Sequence, residues 1–536
     1  MNQMDVRKRQ LKTAAGMIRY ITIILLANMI GELGIVYFGA ALEVFLLLQV
    51  FLSESLPDCV AKMLRSRMGK GQYKNADKVM KAALGYSVVT GIIGSVLLFA
   101  LSGFIMDKVL HLPEAALALK ILAPAFFLQA VCAVLQGCFQ GLGTAMPTII
   151  SGILTEVFGL FFVMLFSEML YGYGNKAAAL LQNEKFASMY GAAGAAIGFP
   201  IALVFALAFL LLMYFGAGRR IWKKKREGMR LTEDGIEVLR MLLFAVVPVA
   251  ATRLLLRLPV ACGIGFLAKK SAGSITALAD IGSLYAKSLI VVGIVVSLAV
   301  ILCAGVESTV IYFVKREEYK TARNYLAGGL QGIFMFTAYM TVICLVFAPG
   351  IIQLLFGKEN IQEAVACLQA GSPLMILLPL AVFLFHILNG MGKTLTALAG
   401  TAVSFAFFVI VMAIGCSASK GGILIMVYAL LVFACVLCVW NGAFLLWLLH
   451  TNLPWLTAVG LPALAAGITG LGVFMLHKAL AASLGEIVTF VVGALAGGVM
   501  YVVLILVFKC IREKDLYALP GGSIIGKILH LLKKSE

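Results

Sequence analysis

Charged side chains are scarce in this sequence. Of its 536 residues only 13% are Asp, Glu, Lys or Arg, against about 25% in a soluble domain. That scarcity excludes a soluble enzyme and a disordered tail, both of which need solvated charge. Lys and Arg outnumber Asp and Glu by 43 to 25, a net charge of +18. The basic residues lie in short loops between apolar runs, however, which excludes a nucleic-acid-binding domain. A cysteine framework is missing too: the 11 cysteines are scattered, and the close pair Cys435 and Cys438 sits in a run too apolar for a zinc or redox site. The sequence shows no cluster of metal-ligating residues and no nucleophile–histidine–acid set. No polar loop is long enough to house a glycosyltransferase or ligase site. Gly390-Met391-Gly392-Lys393-Thr394 has the end of a phosphate-binding loop but not its beginning. Ile387 stands where the first glycine is required, and the segment lies between two apolar runs rather than after a strand. Alternation of period two is absent, which argues against a membrane β-barrel. No enzyme is expected.

What is abundant is apolar sequence. Hydrophobic residues make up 62% of the chain, and the mean hydropathy is +1.03. A helix needs about 20 apolar residues to cross a bilayer. Fourteen such spans are expected, near 16–38, 42–62, 83–106, 116–138, 148–171, 187–215, 241–267, 275–309, 326–348, 363–388, 396–417, 421–449, 456–477 and 486–508. The fold class expected is therefore an all-α polytopic membrane protein with 14 transmembrane helices. Arg7-Lys8-Arg9 and Lys12 precede a full-length span, which reads as retained rather than cleaved. With the N-terminus in the cytoplasm, alternate loops hold about 30 basic residues inside and about 8 outside. Both termini are then expected in the cytoplasm.

The chain also repeats itself. Glu114-Ala115, Leu119, Pro124, Gly141 and Gly143 match Glu363-Ala364, Leu368, Pro373, Gly390 and Gly392 at an offset of about 249 residues. Gln72-Tyr73-Lys74-Asn75-Ala76 matches Glu318-Tyr319-Lys320-Thr321-Ala322 at about 246. Two parallel six-helix repeats follow, with two C-terminal helices added. The organisation expected is a six-helix half over 1–218, a basic cytoplasmic linker over 219–240, a second half over 241–450, helices 13 and 14 over 451–510, and an amphipathic cytoplasmic tail over 511–536. Lys223-Lys224-Lys225-Arg226 in the linker reads as a topology determinant that touches anionic lipid.

This layout resembles the multidrug/oligosaccharidyl-lipid/polysaccharide (MOP) exporter superfamily. The local sequences that carry the resemblance are Met68-Gly69-Lys70-Gly71-Gln72-Tyr73-Lys74-Asn75-Ala76, Leu135-Gln136-Gly137-Cys138-Phe139-Gln140-Gly141-Leu142-Gly143 with Met146-Pro147-Thr148, and Asp515-Leu516 with Leu519-Pro520-Gly521-Gly522. Within the superfamily the chain is most similar to polysaccharide biosynthesis proteins of the stage V sporulation protein B type, relatives of the lipid II flippases. The resemblance implies alternating access: two halves rock about a cavity through which a lipid-linked sugar head group crosses while its polyprenyl tail stays in the bilayer. It also implies a bacterial plasma membrane.

Charges inside the spans mark the candidate site, because each costs about 2.5–3.5 kcal/mol to insert and so faces a cavity or a partner. Arg253 and Arg257 share one face of the seventh span at i, i+4, and Lys287 lies midway along the eighth. Together with Arg19 of the first span they form the expected substrate-binding set, because guanidinium binds a diphosphate bidentately. The other reading is pairing with carboxylates. Those expected to gate, or to couple transport to protons or sodium, are Glu32, Glu54, Asp58 (beside Pro57) and Glu156. His386, near the end of the tenth span, reads as a packing residue. The function expected is a secondary-active flippase for a polyprenyl-diphosphate-linked cell-envelope saccharide. The alternatives are a proton- or sodium-coupled multidrug or metabolite antiporter of the same fold and a non-transporting scaffold. No cofactor and no metal is expected. The expected partners are the lipid-linked saccharide and membrane lipids, with envelope-synthesis enzymes as candidates.

Overall fold

In the computed structural model of this chain the described residues are 3–218, 234–271, 274–358, 361–417, 422–450, 456–508 and 510. They form helices joined by short turns, with no strand among them. The linker residues 219–233 and the tail from 511 onward lie outside the described residues. By internal contacts the chain falls into two compact units, Ala14–Ala286 and Lys287–Glu536 with Met1–Thr13.

The first unit is built from α1 (Gln3–Gln49) from Ala14 onward, α2 (Leu56–Gly69), α3 (Tyr73–Phe104), α4 (Ala116–Gly141), α5 (Met146–Leu181), α6 (Lys185–Met213), α7 (Gly235–Lys270) and α8 (Ile275–Gly282). The chain reverses within α1 at Gly31, whose φ of 72° and ψ of 178° are not helical. On a straight helix Arg19 and Leu42 would stand about 35 Å apart, yet Arg19, Thr22 and Ile23 line the same small cavity as Phe38 and Leu42. The first two spans therefore meet at Gly31 rather than between residues 38 and 42. Apolar sequence runs through the turn, so hydropathy does not mark it. A glycine is what the positive φ requires.

A wide π turn, Val50–Glu54, follows the second arm of the hairpin. Its cause lies just downstream. Pro57 lacks an N–H and its ring crowds the carbonyl four residues earlier, so the helix widens ahead of it. The Ser55 hydroxyl donates to the loosened Val50 carbonyl at 3.0 Å.

Small residues set how closely the helices approach. Gly194 and Gly198 of α6 lie against the backbone of α5 at Phe166–Ser167 and Val163, where a side chain would not fit. This is the packing role that their spacing suggests. Gly137 of α4 faces the Pro57 carbonyl and Val60 of α2 in the same way. α7 packs against α3 and α2 and so belongs to the first unit, although the sequence repeat opens its second copy there.

The second unit holds α9 (Leu289–Lys315), α10 (Tyr319–Val346), α11 (Ala348–Phe356), α12 (Gln362–Gly371), α13 (Leu374–Gly390), α14 (Thr394–Ser417), α15 (Leu424–Leu449), α16 (Leu461–Leu484) and α17 (Glu486–Val507). α9 packs on α10 and α13, α14 on α15, and α16 on α17 and α10. Gly493 of α17 seats the Phe347 ring, and Gly497 faces Val473 of α16. α12 and α13 bend by 48° at Gly371-Ser372-Pro373. A Gly/Ser pair ahead of proline is a known source of a kink. The matching Leu122-Ala123-Pro124 stays inside one continuous helix.

Among the described residues twelve helices are long and apolar enough to cross a membrane, thirteen if the bent pair is one span. The expected count of fourteen takes Ala15–Gly69 as two passes about Gly31 and the bent pair as one.

The repeat is visible in the backbone. Gly71 N donates to Met68 O, and Gln72 N to Arg67 O; Glu317 N donates to Val314 O, and Glu318 N to Phe313 O. At the other loop Leu142 N, Gly143 N and Thr144 N donate to the carbonyls of Cys138, Gln140 and Phe139, while Met391 N, Gly392 N and Lys393 N donate to Ile387, Asn389 and Leu388. Each Gly-x-Gly divides the labour in the same way. Gly141 and Gly390 take close contact from Leu64 and Ile311. Gly143 and Gly392 turn the chain at φ of 87° and 83°.

Candidate functional site

The charged side chains of the first unit are brought together by the hairpin at Gly31. Arg19, on the first arm, is hydrogen-bonded to Glu156 of α5, and its Nε also lies 3.4 Å from Glu156 Oε2. The guanidinium is 40% exposed and the carboxylate 14%. Thr155, Gly159 and Phe199 complete the cavity around them, which has about 430 Å³ of empty space.

Across the hairpin, on the second arm, stands Glu43. Its carboxylate accepts a hydrogen bond from the Tyr285 hydroxyl at 3.0 Å. Arg257 of α7 and Arg19 both act on it electrostatically. Tyr285 sits in the π turn Ser283–Ser288 that follows α8, and its ring lies on Gly39, one turn before Glu43. A Cβ at Gly39 would meet the ring at 2.5–3.1 Å, so the absence of a side chain there sets where the tyrosine can lie. α8 is itself docked through Gly282, which packs on the Glu32 carbonyl.

One turn before Arg257 on the same face, Arg253 meets Asp58 of α2 at 3.1 Å. The two are 30% and 51% exposed. Exposed pairs of this kind contribute about 0–1 kcal/mol, so this contact can break at little cost. Glu156, Arg19, Glu43 and Arg257 thus form an alternating series of charges. Asp58 and Arg253 continue it one turn along α7.

Of the residues singled out from sequence, the structure brings together Arg19, Arg253, Arg257, Asp58 and Glu156. Glu32 is half-buried directly after the Gly31 turn, about 16 Å along the helix from Glu43. Glu54 lies in the π turn before Pro57, and its side chain is outside the described residues. Lys287 opens the second unit and is 6% exposed. Sequence reasoning missed Glu43 and Tyr285. A first span ending at residue 38 leaves Glu43 at the membrane rim, whereas a turn at Gly31 puts it about 18 Å past the reversal, well inside the span. The signal for that turn was Gly31-Glu32-Leu33-Gly34. Among the described residues no group of three or more His, Cys, Asp or Glu could hold a metal ion.

The second unit offers a different kind of space. An apolar cleft with about 620 Å³ of empty space is lined by Leu326 and Phe334 of α10, Leu384 of α13, Leu445 of α15 and Val459. It contains almost no polar surface.

Comparison with known proteins fits this architecture. The description of the polysaccharide biosynthesis protein family matches residues 11–239. Stage V sporulation protein B of Bacillus subtilis (strain 168) is 21% identical over 96% of this chain and 97% of its own length. Among solved structures, an inward-facing multidrug-resistance MATE family transporter of the MOP superfamily superposes with a TM-score of 0.63. It is 17% identical, over 82% of this chain and 96% of that one. A MOP superfamily transporter from Pyrococcus furiosus, described as having a binding pocket of reverse polarity, superposes at 0.58 with 16% identity, over 83% and 95%. An outward-facing MATE family transporter gives 0.58 with 17% identity, over 83% and 97%. The chain is thus similar to the polysaccharide biosynthesis protein family over residues 11–239 and to stage V sporulation protein B over nearly its whole length, and it shares the fold of the MATE family transporters.

Proposed function

We propose that the protein is a secondary-active flippase for a polyprenyl-diphosphate-linked saccharide, with both termini in the cytoplasm. The observation that carries the reading is the state of the guanidinium groups. Arg19 and Arg253 are part-exposed, and each is held by a carboxylate from another helix. Arginines in this state form an exchangeable anion site. A diphosphate accepts bidentate hydrogen bonds from guanidinium, and on entering it displaces Glu43, Glu156 and Asp58, which reclaim the arginines when it leaves. Arg253, Arg257 and Arg19 bind the diphosphate, and Lys287 is their counterpart in the second unit. The carboxylates gate, so that the transporter relaxes to a paired, empty state between cycles. The apolar cleft of the second unit supports a cargo with a hydrocarbon chain.

The resemblance to MATE transporters together with the half-exposed Asp58 carboxylate favours a second reading. In it the carboxylates bind a cationic substrate or a coupling ion, and the arginines serve only as their partners. Mass spectrometry of lipids retained by the purified protein separates the two. A polyprenyl-diphosphate saccharide held by wild type and lost from Arg253→Ala/Arg257→Ala is the expected result. Bulk phospholipid alone in both samples would overturn the flippase reading.

A further inference from the structure

The second unit contains a buried acid–base pair that the site above does not use. Glu307 of α9 is 1% exposed. Its Oε1 lies 3.3 Å from Nδ1 of His386 on α13, whose side chain is 35% exposed. The repeat shows what this pair is not for. At an offset of 246 residues Glu307 matches Ala61 of α2, and at 249 His386 matches Gly137 of α4. In the first unit this crossing is made by small residues, with Gly137 directly against the Pro57 backbone and Val60. One turn further along α4 and α13, Gly141 and Gly390 make like contacts in the two copies. The repeat therefore closes this crossing without any ionisable group, and the second copy has placed a carboxyl and an imidazole there.

We propose that Glu307 and His386 form a proton-binding site in the second unit, with His386 as the relay. The geometry is that of a shuttle. The imidazole has an exposed side, and its Nδ1 faces the buried carboxylate at 3.3 Å; once protonated, the ring carries a proton on each nitrogen, one of them directed at Glu307. Transfer of that proton to Glu307 Oε1 returns a neutral ring and turns a buried negative charge into a neutral carboxylic acid. A buried carboxylate is costly to leave ionised, so gain or loss of this proton shifts the balance between packings of α9 and α13 that differ in burial. Among the ionisable neighbours, Cys303 one turn earlier on α9 is in electrostatic contact with Glu307. α10 contributes Lys320, Arg323 and Tyr325 near its start, and α12 contributes Glu363 and Cys367. α14 and α15 carry no acidic or basic side chain.

The test is infrared difference spectroscopy of the full chain in lipid, titrated between about pH 5 and 8 where histidine changes charge. The carbonyl stretch of a protonated, water-shielded carboxyl is expected to titrate in wild type and to be lost in Glu307→Gln. In His386→Gln the carboxyl signal is expected to change in frequency and in its response to pH, because the ring that faces it is gone. The double variant Glu307→Ala/His386→Gly restores the small residues of the first copy. It is expected to fold with an unchanged helical spectrum and to show no such titration. A carboxyl signal unchanged in Glu307→Gln, a titration indifferent to His386→Gln, or a double variant that fails to fold would each overturn the proposal.

Discussion

The two units share a backbone plan and differ in where they put charge. At matched loops the same N–H groups donate to the same carbonyls, down to Glu317 adopting the positive φ that Gly71 adopts in the other copy. Inside the helices the chemistry parts. Ion pairs described in the first unit join arginine or lysine to carboxylates, among them Arg19–Glu156, Arg253–Asp58 and Lys185–Glu114. Those described in the second unit use histidine: His386–Glu307 and His477–Glu486. Arginine and lysine keep their charge throughout the physiological pH range, whereas histidine does not. The lesson is that the repeat dictates loops and helix crossings. Charge is then placed copy by copy, and the two copies need not perform the same task.

The comparison can be broken most forcefully at the crossing where the copies differ. Gly137→His puts into the first unit what the second unit accommodates, but here the Pro57 carbonyl occupies the space. A destabilisation of about 3 kcal/mol or more is expected, read as loss of folded protein on thermal unfolding. The reciprocal change, Glu307→Ala/His386→Gly, removes both members of the buried pair and is expected to cost much less. Next in size is the charge series. Arg253→Ala is expected to lower transport in reconstituted vesicles about tenfold or more, equivalent to about 1.4 kcal/mol. A double-mutant cycle with Asp58→Ala is expected to give a stability coupling of only about 0.2–1 kcal/mol, because the pair is part-exposed. Gly39→Ala forces the Tyr285 ring away from Glu43 and is expected to reproduce the transport defect of Tyr285→Phe, each worth about 1 kcal/mol. A Gly39→Ala variant with full activity beside a defective Tyr285→Phe would show that the ring finds another route to Glu43. The smallest effect sharpens the comparison rather than breaking it. Glu317→Gly relieves a non-glycine residue of a φ of 62° and is expected to stabilise by about 1 kcal/mol. Gly71→Glu should cost about the same, and melting temperatures of the two variants check both.

How much of this was legible in the sequence follows from what each signal measures. Hydropathy registers the transfer of side chains into lipid, so the helical membrane class could be read directly, as could the two copies, whose loops repeat residue by residue. Hydropathy does not register backbone reversal inside apolar sequence. The turn at Gly31 was therefore hidden, and with it the depth of Glu43. The i, i+4 spacing of Arg253 and Arg257 predicts a shared helix face, and both residues lie in the single helix Gly235–Lys270. That Asp58 meets one and Glu43 the other depends on tertiary packing, which spacing does not encode. His386 reads as an isolated packing residue in sequence because its partner, Glu307, lies 79 positions away.

At the centre of the proposed function is competition between the carboxylates and the diphosphate for the same arginines. Its most direct test is binding of a polyprenyl-diphosphate saccharide to wild type, Glu43→Gln, Asp58→Asn and Arg253→Gln/Arg257→Gln, with an uncharged lipid glycoside as the control probe. The account predicts binding about tenfold tighter in the two carboxylate variants, equivalent to about 1.4 kcal/mol. It predicts loss of binding in the arginine variant and no change for the uncharged probe. Binding weakened by Glu43→Gln and Asp58→Asn, or left intact without the two arginines, would contradict it.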